Sequence, residues 1–179
     1  MKSLLADRFM LVAHVEKREM PIYALVKARS DGKLGSQLTA STVDCAAVNA
    51  GRRGGPPPAP PNFNGPAPQC GMMVRPGGVK AGGVPITQII QLLSQNVQRI
   101  VVDRTGLTGN FDIDLSWTPD QIPQARGDAP PGAPALPPID PNGPSLFTAL
   151  QEQLGLKLDS TRGPVDVLVI DKVERPTED

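Results

Sequence analysis

The chain has 179 residues, with 18 Lys and Arg against 18 Asp and Glu, so it carries no formal net charge at pH 7. A neutral chain of this length accommodates one modest domain and is unlike the basic proteins that bind nucleic acids or membrane surfaces. The charges are unevenly spread: residues 1–100 carry 12 basic and 5 acidic side chains, and residues 101–179 carry 6 and 13. We interpret this asymmetry as two halves that attract each other within one fold.

The first half of the chain is typical of strands. After a short helical segment at residues 3–9, apolar and polar residues alternate from Met10 onward, which is the period of a strand. Because Pro21 interrupts this pattern before IYALVKA continues it, we predict two strands over residues 10–28, joined near Met20 and Pro21. The glycine-rich segment after Cys70 predicts at most one short strand.

The second half alternates helices and strands. Apolar residues at helical spacing predict one helix over residues 86–96 and a second over residues 145–154, with Ser145 as its cap and Gly155 at its end. Strands are predicted at RIVVD, over residues 111–117, at LKLDS and at PVDVLVIDKV. The expected fold is therefore α+β, a single antiparallel-rich sheet with the two main helices packed on it.

Two proline-rich tracts interrupt the predicted elements. Seven of the 21 prolines lie between Pro56 and Pro68, and nine lie between Pro119 and Pro144. Such tracts bury little apolar surface, so we predict one domain over residues 1–179 with inserts at residues 51–69 and 119–144 that form extended or disordered loops.

The two cysteines, Cys45 and Cys70, flank the first proline-rich tract. A disulfide at the base of a flexible insert suits an oxidising compartment, so we predict this bond ahead of its alternatives, two free thiols or half of a metal site. No C-x-x-C spacing supports metal binding. No apolar run approaches the roughly 20 residues of a membrane-spanning helix, so we expect no membrane insertion, and MKSLLADRF does not have the pattern of a signal peptide.

Three aspartates are candidate site residues. Asp103, in the stretch IVVDRTGLTG, resembles the start of an aspartic-protease motif, but Arg104 interrupts the tripeptide and no second copy occurs. We therefore interpret Asp103 as the cap of a turn in which Gly106 and Gly109 supply unusual dihedral angles. Asp112 and Asp114 share one face of a predicted strand; that face is either solvated, which we favour, or a cation or acid–base site.

His14 is the only histidine of the chain. We favour a structural role, since a lone histidine without a second histidine or a catalytic cysteine is usually structural; metal ligation and general-base catalysis are the alternatives. If a catalytic site exists, we expect it where the fold joins His14 to Asp103, Asp112 or Asp114. That alternative is a small hydrolase of esterase or phosphoesterase type, with a divalent metal possible and no other cofactor predicted.

Six phrases in order resemble a known family: LLADRF, REMPIYALV, QCGM, VVDRTGLTGNFDIDL, LFTALQEQLGLKLDS and VDVLVIDKVERP. They resemble the soil-associated family of uncharacterised bacterial proteins, a domain of unknown function, over nearly the whole chain apart from the proline-rich tracts. Members of that family generally look exported, and some are fused to membrane zinc-peptidase sensors. They usually carry a further segment before LLADRF, with an early strand and an export signal, so this chain resembles a partial member.

The pattern of residues 84–173 is also similar to the small N-terminal domains of secretins and TonB-dependent receptors, which bind partner proteins across the periplasm. Both resemblances imply a periplasmic or secreted location. The function expected from the sequence is a non-catalytic binding or sensory module whose partner is an envelope protein or a small ligand. The sequence predicts neither the ligand nor the oligomeric state.

Overall fold

The computed structural model describes residues 8–51, 62–120 and 139–175, and its α+β class confirms the prediction. The described helices are α1 (Cys45–Gly51), α2 (Ile86–Asn96) and α3 (Leu146–Ala149), which continues as a π-helical turn (Leu150–Leu154). The described strands are β1 (Val12–Lys27), β2 (Leu38–Ala40), β3 (Gly71–Arg75), β4 (Gly78–Pro85), β5 (Val101–Asp103), β6 (Asn110–Ser116) and β7 (Leu156–Lys172).

The strands are divided between two sheets where the sequence predicted one. One sheet has the order β5-β1-β7 and the other has the order β2-β6-β4-β3. Antiparallel pairing dominates both sheets, as predicted, and the parallel pair β1-β5 is the exception.

The prediction of two strands over residues 10–28 is wrong, because β1 is a single strand that continues through Pro21. Tyr23 N–H donates to the carbonyl of Ile100, so the odd-numbered residues of β1 direct their backbone polar groups away from β7. Pro21 pairs with Arg162, and Glu19 pairs with Pro164. Both prolines therefore occupy non-hydrogen-bonded pairs of the ladder, where a missing N–H removes no bond between the strands.

β7 was predicted as two strands, but it is one strand of 17 residues that contains Gly163 and Pro164. Pro164 does not interrupt it, because this proline also lies at a non-hydrogen-bonded pair of the ladder. β1 and β7 pair along almost their whole length, from Lys27 with Leu156 to Val12 with Lys172. We call residues Val12–Pro21 of β1 and Arg162–Lys172 of β7 the ribbon. Its large side chains are mostly exposed, whereas Ile22, Ala24 and Leu25 beyond it are buried.

β6 lies inside the four-stranded sheet, and the apolar residues of its alternating pattern are part of the core. Phe111, Ile113, Leu115 and Trp117 are buried, as predicted, and β6 pairs with β2 on one side and β4 on the other. Ile89 and Leu93 of α2 and Leu150 and Leu154 after α3 are also fully buried in the same cluster. The core thus joins the two main helices to the four-stranded sheet and to the inner end of β1 and β7.

The second main helix has the ends that the sequence predicts. Ser145 Oγ accepts a hydrogen bond from the N–H of Thr148, which caps the helix. Gly155 ends it with a left-handed φ of 68°, and a Cβ at this position would overlap the backbone of Leu34 and Gly35. Helix α1 and strand β2 have no counterpart among the predicted elements.

The segment after Cys70 forms the hairpin β3-β4, where at most one short strand was predicted. A bulge interrupts β4 between Ala81 and Val84, and its two glycines are required by close contacts. A Cβ on Gly82 would overlap the carbonyl of Pro68, and a Cβ on Gly83, whose φ is +61°, would overlap Sγ of Cys45.

Cys45 and Cys70 form the predicted disulfide, with their Cα atoms 5.5 Å apart. The bond joins the start of α1 to the residue before β3. Much of the two predicted proline-rich inserts, at residues 52–61 and 121–138, lies outside the described residues. The organisation as one domain with two inserts therefore stays a prediction.

Candidate functional site

A cleft of about 480 Å³ opens where four separate parts of the chain meet. Its walls are Tyr23 of β1, residues 96–98 at the end of α2, residues 117–120 after β6, and residues 145–147 at the start of α3. Its volume lies within the range of small-molecule binding sites, roughly 300–1,000 Å³.

Aromatic rings form the apolar part of the cleft. Tyr23 and Phe147 are in edge-to-face contact, with ring centroids 5.7 Å apart and planes at 65°. Arg99 lies with its Cζ 4.7 Å from the centroid of the Tyr23 ring, which is a cation–π contact. Trp117 is 7% exposed and Phe147 is 39% exposed, so the cleft has one buried aromatic wall and one accessible aromatic edge.

Local backbone structure fixes the polar rim. Gln98 adopts a left-handed φ of 49°, which ends α2 and turns the chain toward β5. Thr118 donates from its N–H to the carbonyl of Pro144 at 2.8 Å and from its hydroxyl to the carbonyl of Asp140 at 2.6 Å. These two bonds join the strand end at Trp117 to the start of α3.

Three polar groups of the cleft have no side-chain hydrogen-bond partner within residues 8–51, 62–120 and 139–175. They are the Tyr23 hydroxyl, the Gln98 amide and the Asp120 carboxylate. An amide and a hydroxyl both donate and accept hydrogen bonds, whereas a carboxylate accepts them. The cleft therefore presents an aromatic wall together with hydrogen-bonding groups that a ligand can engage.

His14 lies on the exposed ribbon, far along β1 from the buried end that carries Tyr23. Its Nδ1 is 2.8 Å from Oδ2 of Asp171, and its Nε2 is 3.8 Å from Oε2 of Glu16. The hydrogen bond and then the charge of Asp171 raise the pKa of His14 above its ordinary value. In the described part of the chain no hydrogen bond or ion pair joins His14 to Asp103, Asp112 or Asp114, so the expected cluster is not assembled.

Asp103 caps a turn, as predicted. Its Oδ1 accepts hydrogen bonds from the N–H and the hydroxyl of Thr105, both at 2.8 Å. Gly106 and Gly109 have φ values of 67° and 92°, which are the unusual dihedral angles expected of this turn. The buried Thr105 hydroxyl in turn accepts from the N–H of Leu107.

Asp112 and Asp114 are half-buried and hold the neighbouring strand β4. Oδ1 of Asp112 accepts from the N–H of Gly83 at the β4 bulge, at 2.9 Å. Oδ2 of Asp114 lies 3.5 Å from Nζ of Lys80. Each carboxylate thus contacts a residue of β4, which supports a structural role for both. Cation binding and acid–base chemistry at Asp112 and Asp114 stay predictions.

The described residues can also be searched for a metal-binding group and for a membrane-spanning helix. Within the described ranges, no group of three or more His, Cys, Asp and Glu side chains is placed to hold a metal ion. Among the same residues, no helix has the length and apolar character needed to cross a bilayer.

A family model described as "Protein of unknown function (DUF3738)" matches residues 1–173. The chain belongs to this family. No curated protein matches this DUF3738 chain, and no solved structure matches it.

None of the candidate residues predicted for this DUF3738 protein lines the cleft, because the cleft is assembled from segments far apart in the chain. One feature of the sequence could have indicated the cleft. Trp117 is the sole tryptophan, and it lies at the end of an alternating strand, two residues before Pro119. A large amphipathic ring at a strand end is a common feature of binding surfaces.

Proposed function

We propose that the protein is an extracytoplasmic, non-catalytic binding module whose ligand occupies the cleft between Tyr23, Trp117 and Phe147. The observation that carries this proposal is the combination of an aromatic wall with three polar groups that have no side-chain partner among the described residues, in a volume suited to a small molecule.

The chemistry of the lining favours a small amphipathic ligand. A planar or aliphatic part packs against Trp117 and the exposed edge of Phe147, because burial of apolar surface supplies the main driving force. A donor group, such as an amine, amide or hydroxyl, bonds to Asp120, and Gln98 and the Tyr23 hydroxyl fix its orientation.

Two observations support the extracytoplasmic part of the proposal. The Cys45–Cys70 disulfide suits an oxidising compartment. The resemblance to a soil-associated family whose members generally look exported points to the same location. The similarity of residues 84–173 to the N-terminal domains of secretins and TonB-dependent receptors makes an envelope protein the second class of ligand to test.

The fluorescence of Trp117 tests the cleft directly, since no other tryptophan contributes to the signal. A library of small amphipathic compounds is titrated while the emission of Trp117 is followed, and calorimetry then measures the affinity of each hit. We expect hits to shift or quench the emission. We expect Phe147→Ala to weaken binding about tenfold, and Asp120→Asn to weaken the binding of cationic hits by about tenfold or more.

Lys17→Ala, on the distant ribbon, is the matched control and should leave affinity unchanged. The proposal is wrong if no compound perturbs Trp117, or if hits bind Phe147→Ala and Asp120→Asn as tightly as they bind the wild type. For the location, thiol alkylation of acid-quenched cells that express the natural protein should find no free cysteine. Two reactive thiols would contradict an oxidising compartment.

A further inference from the structure

The cleft between Tyr23, Trp117 and Phe147 has a single charged side chain in its lining, that of Asp120. In the described part of the chain, no Lys, Arg or His lines the cleft. The Asp120 carboxylate is exposed, and no salt bridge or hydrogen bond joins it to another described side chain. A bound anion would be repelled by this carboxylate, whereas a bound cation would be attracted to it. The charge of the lining therefore favours a cation.

The three polar groups of the cleft can all accept hydrogen bonds. They are the Asp120 carboxylate, the oxygen of the Tyr23 hydroxyl and the oxygen of the Gln98 amide. A protonated primary amine has three N–H donors and no acceptor, whereas an alcohol has one donor. A hydrogen bond with charge on both partners is also about twice as strong as a neutral one. An ammonium group thus makes fuller use of these groups than a neutral hydroxyl does.

The aromatic side chains of the cleft provide a surface for an apolar body. The chain has six aromatic residues, one Trp, one Tyr and four Phe, and three of them line this one cleft. Phe147 is the accessible ring, at 39% exposed, whereas Trp117 is 7% exposed. Burial of apolar surface against these rings supplies affinity that does not depend on charge. The cleft therefore suits a cation that is attached to an apolar group.

Arg99 is a positive charge near one wall, since its Cζ lies 4.7 Å from the centroid of the Tyr23 ring. Its guanidinium is not part of the lining, so an anion in the cleft has no direct contact with it. The charge of Arg99 does weaken the attraction of the cleft for a cation. For this reason we expect a preference of about tenfold, and not the larger factors measured for close charge pairs in buried interfaces.

Two helix ends meet at the cleft and carry partial charges of opposite sign. Helix α2 ends there at Asn96 with the negative end of its dipole, and helix α3 begins there at Leu146 with the positive end of its own. Because these partial charges oppose each other, the formal charge of Asp120 decides which ligand charge is preferred.

We propose that the ligand of this cleft is a small organic cation, a protonated amine whose ammonium group lies at Asp120 and whose apolar body packs against Trp117 and Phe147. The inference rests on the proposed binding function and adds the charge of the ligand to it. The Tyr23 hydroxyl and the Gln98 amide oxygen accept the remaining N–H groups of the ammonium. Neutral and anionic molecules of the same shape bind less tightly.

Three probes that share a phenylethyl body and differ in charge test the proposal. They are 2-phenylethylamine, 2-phenylethanol and 3-phenylpropionate, which are cationic, neutral and anionic at neutral pH. Each is titrated into the full chain with its disulfide intact, while the emission of Trp117 is followed and calorimetry measures the affinity. We expect the amine to bind about tenfold more tightly than the alcohol, and the propionate to bind more weakly than the alcohol.

Asp120→Asn separates the effect of charge from damage to the cleft. This variant removes the charge and nearly keeps the shape of the side chain, so the amine should lose about tenfold in affinity while the alcohol stays within about twofold. Asp140→Asn is the matched control, because Asp140 is exposed and does not line the cleft. Asparagine at this position keeps the side-chain oxygen that accepts the N–H of Asn142 at 2.9 Å. The control should keep the preference for the amine within about twofold of the wild type.

Equal binding of the amine and the alcohol to the wild type overturns the inference, and so does tightest binding of the propionate. In both cases the proposed binding function stands, because the probes still occupy the cleft. A preference for the amine that persists in Asp120→Asn places the ammonium elsewhere and also overturns the inference. If no probe changes the emission of Trp117 up to about 10 mM, the inference fails, whereas the proposed function is judged by the wider library of compounds.

Discussion

Removal of the Cys45–Cys70 disulfide should lower the free energy of unfolding by about 3.5 kcal/mol. The two cysteines are 25 residues apart in sequence. In the chain-entropy model a bond that closes a loop of this length restricts the unfolded chain by about 12 cal/mol/K, which corresponds to about 3.5 kcal/mol at 25 °C. For a chain of this size that loss lowers the melting temperature by roughly 7–14 °C.

The measurement is urea unfolding of the wild type and of C45A/C70A, each with and without a reductant. The wild type should lose about 3.5 kcal/mol on reduction and approach the double variant, and the double variant should be insensitive to reductant. This pair of comparisons separates the lost bond from the effect of the alanine side chains. An unchanged midpoint after verified reduction of the wild type would refute the entropic argument.

Three further predictions concern single residues. Gly83→Ala should destabilise the fold by roughly 2 kcal/mol or more in urea unfolding, because its φ of +61° is strained for alanine and the new Cβ overlaps the disulfide sulfur. The single histidine signal in NMR should titrate above pH 6.5, and Asp171→Asn should lower the pKa of His14. The contact between protonated His14 and Asp171 stabilises the fold below about pH 6.5, and this stabilisation is lost as the pH rises through the raised pKa of His14. Asp103→Ala should cost about 1–2 kcal/mol in the same unfolding assay, since it removes both hydrogen bonds from Thr105.

Features fixed by local chemistry were predictable from the sequence. The alternation of β6, the stripes of α2 and α3, and the caps at Ser145 and Gly155 depend on residues close together in the chain. The turn at Asp103 follows from the preference of aspartate and glycine for turns. The disulfide was predictable because Cys45 and Cys70 flank the first proline-rich tract, where a bond closes the base of a flexible insert.

Features fixed by the pairing of distant strands were not predictable. In the sequence alone, Pro21 and Pro164 predict the end of a strand. In the structure they are tolerated, because each lies at a non-hydrogen-bonded position of the β1–β7 ladder. The register of that ladder is a tertiary property. Gly82 and Gly83 likewise made β4 hard to predict, because glycines are uncommon in strands. Their presence is explained by the close contacts with Pro68 and Cys45, which only the folded structure shows.

The candidate site was missed for the same reason. Its polar groups, Gln98, Asp120 and the Tyr23 hydroxyl, belong to no recognisable motif and are distributed over three segments. The predicted candidates, His14, Asp103, Asp112 and Asp114, are titratable side chains on predicted strands or at a strand end. The fold gives each of these four side chains a neighbouring partner, whereas it leaves the cleft groups without a side-chain partner among the described residues.

The distribution of burial separates the cleft from the ribbon. The buried cluster contains the inner end of β1 and β7, both main helices and the four-stranded sheet, and none of its members lies in the ribbon. Charge changes at Glu16 or Arg18 therefore alter a surface that contributes little buried apolar area, and the packing around Trp117 should be unaffected. A ribbon variant that abolished ligand binding in the cleft would show that the two ends are coupled and would contradict this division.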